Sequence, residues 1–170
     1  MPESMPIQLR ALGVDDVDAL LRIQEHCYGA DFAEPREVFV RRLRTAGHCS
    51  WAAEQGGELV AYLAAYWSRP GAITPLNGDF ADYDDASVLY LHDMAVSEAA
   101  AGQGLAGRMV QALKAQARAR GVQRTALVSV QGSRLYWERQ GYVVESVTNA
   151  AQQQHLASYG EDAVYMEGLI

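Results

Sequence analysis

The sequence predicts an α/β domain built on one mixed β-sheet with helices on both faces. Two strand-like runs, residues 49–54 and 59–67, flank the turn residues Gln55, Gly56 and Gly57, which is typical of an antiparallel hairpin. Later strand-like runs are separated by helical patterns, and such crossovers favour parallel neighbours. No internal repeat or linker divides the chain, so residues 1–170 are expected to form a single domain.

The first half contributes three strands and two helices. Residues 6–12 predict a short strand, and Asp15 or Asp16 can cap a helix that extends to about residue 26 with one apolar side. A second helix follows Pro35, and Gly47 is expected to end it. After the hairpin comes a loop rich in Pro, Gly and Asp, residues 68–87. Loops of this length are uncommon in compact domains and are often functional.

The second half contributes four strands and two helices. VLYLHDMAV, residues 88–96, predicts a strand, and residues 102–120 predict a helix whose apolar positions recur every fourth residue. Residues 125–130 predict a buried strand, and residues 133–140 predict a short helix that Gly141 can end. Residues 142–147 and 163–169 complete the chain as strands.

Composition excludes several function classes. The net charge of −7 repels a phosphate backbone, so no nucleic-acid partner is expected. No apolar stretch approaches about 20 residues, and no cationic segment precedes an apolar one, so we expect a cytoplasmic protein without a membrane partner. The two cysteines, Cys27 and Cys49, match neither a metal spacing nor a disulfide framework, so no metal is expected.

The charges are separated along the chain. Six carboxylates and no Lys or Arg lie between Arg69 and Arg108, whereas no acid lies between Arg108 and Trp137. Two interpretations stay open. The two stretches are either solvated surfaces of opposite sign, or an acidic mouth for a cationic substrate beside a basic rim for an anionic cofactor.

A glycine-rich loop follows the strand at residues 88–96. Gly102, Gly104 and Gly107 let the backbone turn its N–H groups toward one point, and the positive end of a helix follows, which suits a phosphate. A merely flexible helix start is the alternative. The glycines also match G-x-G-x-x-G, but no acid follows about 20 residues later, which argues against a nicotinamide-dependent dehydrogenase.

Three segments together resemble the GNAT superfamily: LHDMAV (91–96), AGQGLA (101–106) and SRLYWERQGY (133–142). The second is similar to the family's cofactor motif Arg/Gln-x-x-Gly-x-Gly/Ala, with Ala101 in place of the leading Arg or Gln. The resemblance implies a mostly antiparallel sheet of six to seven strands. It also implies an acetyl-CoA-dependent N-acetyltransferase that moves an acetyl group directly onto a primary amine, without a metal.

The resemblance also implies a cofactor site. The backbone around residues 94–96 would pair with the pantetheine arm like an added strand, and Ser129 stands where the family often has Asn. The implied cofactor-binding residues are Met94, Ala95, Val96, Ala101, Gly102, Gln103, Gly104, Leu105, Ala106, Gly107, Ser129 and Arg134.

The catalytic candidates lie on the strand predicted at residues 88–96 and on the short helix predicted at residues 133–140. The resemblance places the family's frequent general acid at Tyr136, whose phenol stays protonated near neutral pH. His92 is the expected base, with Asp93 as second choice. The family's arylalkylamine branch relays a proton through histidines that would match Tyr90 and His92. Strand alternation puts Tyr90 and His92 on one face and Asp93 on the other, unless a bulge intervenes. Core packing is the alternative role for Tyr136 and His92.

The expected partner is a small-molecule or peptide amine, and a small cationic amine is favoured by the acidic stretch. Tyr28, Phe32, Trp67 and Tyr83 are candidate walls of the acceptor pocket. Because dimers are common in the resembling family, a homodimer is one expected assembly. The alternative function is a non-catalytic CoA-binding or sensing domain of the same fold, which Ala101 and Ser129 leave open.

Overall fold

The structure is a computed structural model that describes residues 5–28 and 32–170. Seven strands form one sheet in the order β1-β2-β3-β4-β5-β7-β6. All neighbouring strands are antiparallel except β4 and β5, which are parallel, so the predicted mixed sheet is confirmed. The strands are β1 (Ile7–Ala11), β2 (Trp51–Gln55), β3 (Glu58–Ser68), β4 (Val88–Val96), β5 (Arg124–Ser129), β6 (Val143–Val144) and β7 (Val164–Leu169).

Helices cover both faces of this sheet, as predicted. Leu63 and Leu91 face the side covered by α3 and α4, whereas Tyr62 and Ala95 face the side covered by α1 and α2. The helices are α1 (Val17–Tyr28), α2 (Arg36–Leu43), α3 (Leu105–Ala119), α4 (Arg134–Arg139) and α5 (Ala150–Ala157). None of the helices in the described ranges is long and apolar enough to span a bilayer.

Several boundaries differ from the sequence prediction. Helix α3 begins at Leu105 rather than at residue 102, because Gly102 and Gly104 have φ values of 77° and 69° that no right-handed helix contains. Helix α2 ends at Leu43 rather than near Gly47. The strand predicted over residues 142–147 is ordered as a ladder only at β6, and α5 was not predicted.

The loop between β3 and β4 is packed rather than free. Ile73 and Phe80 are buried, and the Phe80 ring stacks on Tyr66 with 3.6 Å between the ring centroids. Helix α5 fixes the loop from outside, since the Gln152 side chain accepts a hydrogen bond from the Ile73 backbone at 2.7 Å. This loop and α5 therefore cover the part of the α1/α2 face that neither of those helices reaches.

Strands β4 and β5 separate halfway along their length. Their parallel pairing extends from Val88 and Arg124 to Leu91 and Leu127 and then stops, although both strands continue. The second half of β4 therefore keeps β3 on one edge and presents its other edge to a gap.

A β-bulge lies at the start of that gap. Ala65 pairs with Leu91 and Ala64 pairs with Asp93, so His92 is an extra residue in β4. One inserted residue reverses the alternation beyond it. His92 and Asp93 consequently both lie on the α1/α2 face, where His92 contacts Tyr66 and Asp93 contacts Tyr62.

Candidate active site

A cavity of about 260 Å³ occupies the gap between β4 and β5. Side chains from both sheet faces line it, so it connects the α3/α4 side with the α1/α2 side. It brings together the predicted residues His92, Asp93, Met94 and Tyr136. The full lining is Tyr28, Leu63, Leu91, His92, Asp93, Met94, Leu127, Val128, Val130, Gln131, Ser133, Tyr136 and Trp137.

The free edge of β4 can donate hydrogen bonds into this gap. The Ser97 N–H donates to the Val60 carbonyl at 2.8 Å, so alternation directs the peptide groups of residues 95 and 93 toward β3 as well. The peptide groups of Met94 and Val96 then point toward the gap. Their carbonyls already accept bonds from the Tyr28 hydroxyl at 2.6 Å and the Cys27 thiol at 3.6 Å, which leaves the two N–H groups for a ligand.

The glycine loop leaves unpaired backbone N–H groups and open space at the start of α3. The first helical bond runs from the Arg108 N–H to the Gly104 carbonyl, so the N–H groups of residues 105–107 have no acceptor within the helix. No acid lies in the first turn. A Cβ built on Gly102 or Gly104 would meet nothing within 4 Å, so the space over this backbone is open to a ligand. The Leu105 side chain is buried in the core and can contribute only its backbone.

Three of the predicted cofactor residues are less available. The Ser133 hydroxyl donates to the Val130 carbonyl at 2.7 Å, so the buried Ser129 hydroxyl must donate to Ser133 across 2.8 Å. Ser129 can therefore accept from a ligand but not donate to one. Arg134 is tied to Glu138 in an exposed ion pair, and the Ala95 side chain packs under α1.

Tyr136 reaches the cavity from α4. Its ring lies edge-on to Trp137 with 4.9 Å between centroids, and its side chain is 40% exposed. Among the described residues, none hydrogen-bonds to the phenol. The hydroxyl is therefore free to donate to a ligand in the cavity.

His92 belongs to a buried ionic cluster. Its Nε2 lies 2.7 Å from Glu34 Oε1, and Arg42 donates to both oxygens of the same carboxylate at 2.7 Å. The side chains of Glu34, Arg42 and His92 are 2%, 1% and 4% exposed. Burial opposes ionisation of Glu34, but electrostatic attraction and hydrogen bonds from His92 and Arg42 outweigh it and hold the pKa of Glu34 well below its ordinary value.

Asp93 is the second titratable group in the cavity wall. The sequence prediction placed Asp93 and His92 on opposite faces unless a bulge intervened; a bulge does intervene, and it returns Asp93 to the His92 face. Tyr62 donates to Asp93 Oδ2 at 2.8 Å. Burial raises the pKa of Asp93 against the opposing effects of His92 and the Tyr62 hydrogen bond.

Tyr90 does not join the site. It is buried at 1% exposure beneath Phe80 and is absent from the cavity lining, so the structure does not bring it to the gap with His92. Of the four aromatic residues predicted for the acceptor pocket, Tyr28 lines the cavity. Trp67 lies in the α3-side core, and Tyr83 stacks under Arg69.

The sequence analysis missed Glu34 and Arg42. A signal for Arg42 exists, since it lies three and four residues after Phe39 and Val38 on the apolar side of α2, where a charge needs a partner. Glu34 carries no such periodic signal. In the described ranges, no three His, Cys, Asp or Glu side chains are placed to hold a metal ion.

Comparisons with known proteins give the family and the fold. The sequence model of the acetyltransferase (GNAT) family matches residues 17–142. A search of curated proteins gives no significant match.

Solved structures share the fold at low sequence identity. The ribosomal-protein-S18-alanine N-acetyltransferase from Escherichia coli has a TM-score of 0.70 and 16% identity, with 97% of this chain and 94% of that chain covered. The loading GNATL domain of CurA from Lyngbya majuscula has a TM-score of 0.74 and 14% identity, with 96% of this chain and 98% of that chain covered. The PaiA N-acetyltransferase from Thermoplasma acidophilum, in complex with coenzyme A, has a TM-score of 0.66 and 11% identity, with 98% of this chain and 100% of that chain covered.

Family and fold together support an acyltransferase. The family match spans most of the chain, from α1 through the glycine loop and α4 to Tyr142. The chain belongs to the acetyltransferase (GNAT) family.

Proposed function

We propose that this protein is an N-acetyltransferase that transfers the acetyl group of acetyl-CoA to a small cationic amine. The observation that carries the proposal is the cavity between β4 and β5. Its wall combines the Tyr136 phenol, a histidine, a carboxylate and the peptide N–H of Met94 on the unpaired edge of β4. Such a set provides a proton donor, a proton acceptor and hydrogen-bond donors, which are the groups that aminolysis of a thioester needs.

The residues present fit acetyl-CoA. The unpaired N–H groups at the start of α3 and the left-handed Gly102 and Gly104 suit the pyrophosphate, and the coenzyme A complex of the PaiA enzyme supports a CoA ligand in this fold. The N–H groups of Met94 and Val96 would hold the pantetheine arm along the free edge of β4. Acetyl-CoA supplies the acyl group, whose bond to sulfur breaks as a bond to the amine nitrogen forms.

The chain's own side chains handle the protons in this proposal. The amine arrives protonated and loses a proton to His92 or, as second choice, to Asp93, both of which line the cavity. After the attack the amine nitrogen releases its second proton to solvent. The Tyr136 phenol donates its proton to the sulfur that leaves and recovers one from solvent, since its side chain is partly exposed. No covalent intermediate on the protein is required.

The charges in the wall favour a cationic acceptor without a carboxylate. Within the described lining, Asp93 is the one carboxylate, and no Lys or Arg is present. Arg42 lies behind His92 and is already paired with Glu34 and the Gly78 carbonyl. An ammonium group is therefore attracted by Asp93, whereas an acceptor carboxylate would find no cation.

An acceptor panel tests this proposal. Purified protein is mixed with acetyl-CoA and with matched pairs of acceptors, each pair differing by one carboxylate: phenethylamine with phenylalanine, and a peptide amide with the free peptide acid. Release of free thiol is followed. We expect turnover of at least one amine, and a higher kcat/KM for the member of each pair that lacks the carboxylate.

Two outcomes contradict the proposal in different ways. Binding of acetyl-CoA with no turnover of any amine would favour the non-catalytic CoA-binding domain. Ala101 and the Ser129 hydroxyl, which is already bonded to Ser133, are the features that support this alternative. Preference for the carboxylate-bearing member of each pair would leave acetyl transfer standing but would overturn the assignment of a cationic acceptor.

A further inference from the structure

Glu34 lies behind His92 and joins three separate segments of the described chain. Its Oε1 contacts His92 on β4 and Arg42 on α2, and its Oε2 contacts Arg42 and the Asn77 N–H, at 2.8 Å, on the β3–β4 loop. Arg42 is in turn bonded to the Gly78 carbonyl through Nε at 2.9 Å and Nη2 at 2.7 Å. The carboxylate thus accepts four hydrogen bonds and has none to spare.

This arrangement decides which nitrogen of His92 carries a proton. Because the pKa of Glu34 lies well below its ordinary value, the carboxylate stays ionised and can only accept. Arg42 can only donate, so Nη1, at 3.1 Å from His92 Nε2, shares Oε1 with the histidine instead of bonding to it. Nε2 must therefore be the protonated nitrogen of the neutral ring, and Nδ1 is left with the lone pair.

We propose that Glu34 is a positioning residue that holds His92 in the Nε2–H tautomer, so that Nδ1 is the atom that receives the proton of the amine. The inference rests on the proposed function for its role in turnover, and on hydrogen bonding alone for the tautomer. Once Nδ1 is protonated, Glu34 stabilises the imidazolium, while Arg42 keeps the carboxylate ionised in both states. The rings of Tyr66, Phe80 and Tyr159 pack edge-on around the imidazole at 5.3–6.4 Å and restrict its rotation.

The substitution Glu34→Gln makes a specific prediction, because an amide offers one oxygen where the carboxylate offers two. If the amide NH₂ took the place of Oε2, it would face two fixed donors, Arg42 Nη2 and the Asn77 N–H. If it took the place of Oε1, it would face one fixed donor and His92, which can become an acceptor by changing tautomer. The second orientation has fewer donor–donor contacts, so we expect Glu34→Gln to switch His92 to the Nδ1–H tautomer.

The primary test is the imidazole ¹⁵N spectrum of the wild-type protein, recorded at a pH at which the ring is neutral. The four histidines are separated by comparison with His92→Gln. We expect His92 to show a protonated Nε2 and an unprotonated Nδ1. The opposite tautomer in the wild type would overturn the proposal, whether or not any variant folds and whether or not any amine is acetylated.

The second test compares variants with a matched control. Glu34→Gln should show the Nδ1–H tautomer and lose at least about 100-fold in kcat/KM, the usual contribution of a general base, whereas Glu34→Asp should retain the Nε2–H tautomer and recover part of the rate. Asp16→Asn is the control, since it breaks a partly buried ion pair with Arg10 remote from the cavity and should change neither tautomer nor rate by more than about twofold.

A failure of this proposal is distinguishable from a failure of the proposed function. If the wild type acetylates amines and Glu34→Gln does so at an unchanged rate with an unchanged tautomer, the positioning role is wrong and acetyl transfer stands. If no amine is acetylated, the spectra still decide the tautomer. A loss of rate in Glu34→Gln with the Nε2–H tautomer retained would also contradict the proposal, because the effect would then be structural.

Discussion

Replacing Arg42 by Met should destabilise the protein far more than an equivalent change elsewhere. The Arg42 side chain is 1% exposed, and it donates two hydrogen bonds to Glu34 and two to the Gly78 carbonyl. Met replaces most of the apolar part of the arginine side chain. It removes the positive charge, however, so that the buried Glu34 carboxylate stays ionised without its cationic partner. Breaking a buried pair in this way costs about 3–5 kcal/mol, which corresponds to a decrease in Tm of roughly 6–20 °C for a domain of this size.

The cost should also depend on pH in a defined direction. The pKa of Glu34 in the folded protein lies below its ordinary value of 4.5, so the stability it contributes is fully present above that value and is lost as the pH falls through the folded pKa. In Arg42→Met the Glu34 carboxyl takes up a proton more readily. The difference in unfolding free energy between wild type and variant should therefore be largest near pH 7 and should shrink below about pH 4.

Urea denaturation followed by circular dichroism at pH 7 and at acid pH measures both effects. Arg10→Met is the matched control, because Arg10 also forms ion pairs, here with Asp16 and Glu54, but its side chain is 40% exposed. Such a pair is expected to contribute no more than about 1 kcal/mol. The role of Arg42 would be refuted if Arg42→Met and Arg10→Met lost equal unfolding free energy at pH 7. It would also be refuted if the loss in Arg42→Met did not become smaller at acid pH.

Three further predictions concern the cavity and the loop. Tyr136→Phe should lower kcat by about 100-fold or more while the acetyl-CoA Kd measured by calorimetry stays the same, and an unchanged kcat would remove Tyr136 from the mechanism. Asp93→Asn should raise the Tm near neutral pH, because the raised pKa of Asp93 means that the fold disfavours its ionised form and loses stability as the pH rises through that pKa. Asp93→Asn should also raise the KM of a cationic amine. A lower Tm than the wild type at pH 7 would contradict the expected stabilisation. Gly104→Ala should weaken acetyl-CoA binding, since its φ of 69° costs an L-residue about 1–2 kcal/mol. Gly121→Ala, strained equally at a φ of 76° beyond the other end of α3, should lower the Tm alone, and equal binding losses in both would contradict a cradle role.

The sequence predicts most of the fold because its strands and helices carry clear periodic patterns. The hairpin at Gly56 and Gly57 is confirmed, with φ values of 60° and 82° that suit a tight turn between β2 and β3. Helix α5 was missed because AAQQQHLA has no apolar stripe, although Asn149 caps it by accepting from the Gln152 N–H at 3.1 Å. Asn followed by residues with high helix propensity was the available signal.

The site was predicted in part, and the missing part is long-range. The glycine loop and Tyr136 belong to local motifs, and the structure places Tyr136 in the cavity wall and the glycine loop at the start of α3. Glu34 lies 58 residues before His92 and meets it only because the fold packs the α1–α2 connection against β4. A single carboxylate in a connection gives no local pattern from which such a pairing could be derived.

The bulge at His92 resolves a conflict that is visible in the strand itself. VLYLHDMAV places two polar residues side by side in an otherwise apolar strand that is buried on both faces. Strict alternation would direct Asp93 to the α3 side beside Leu63 and Leu91, where a carboxylate would have no partner and would be costly to bury. The extra residue directs Asp93 toward the Tyr62 hydroxyl instead and leaves His92 facing Glu34. Adjacent polar residues in a buried strand therefore indicate a bulge, and in this protein the bulge places both titratable candidates at the point where β4 and β5 separate.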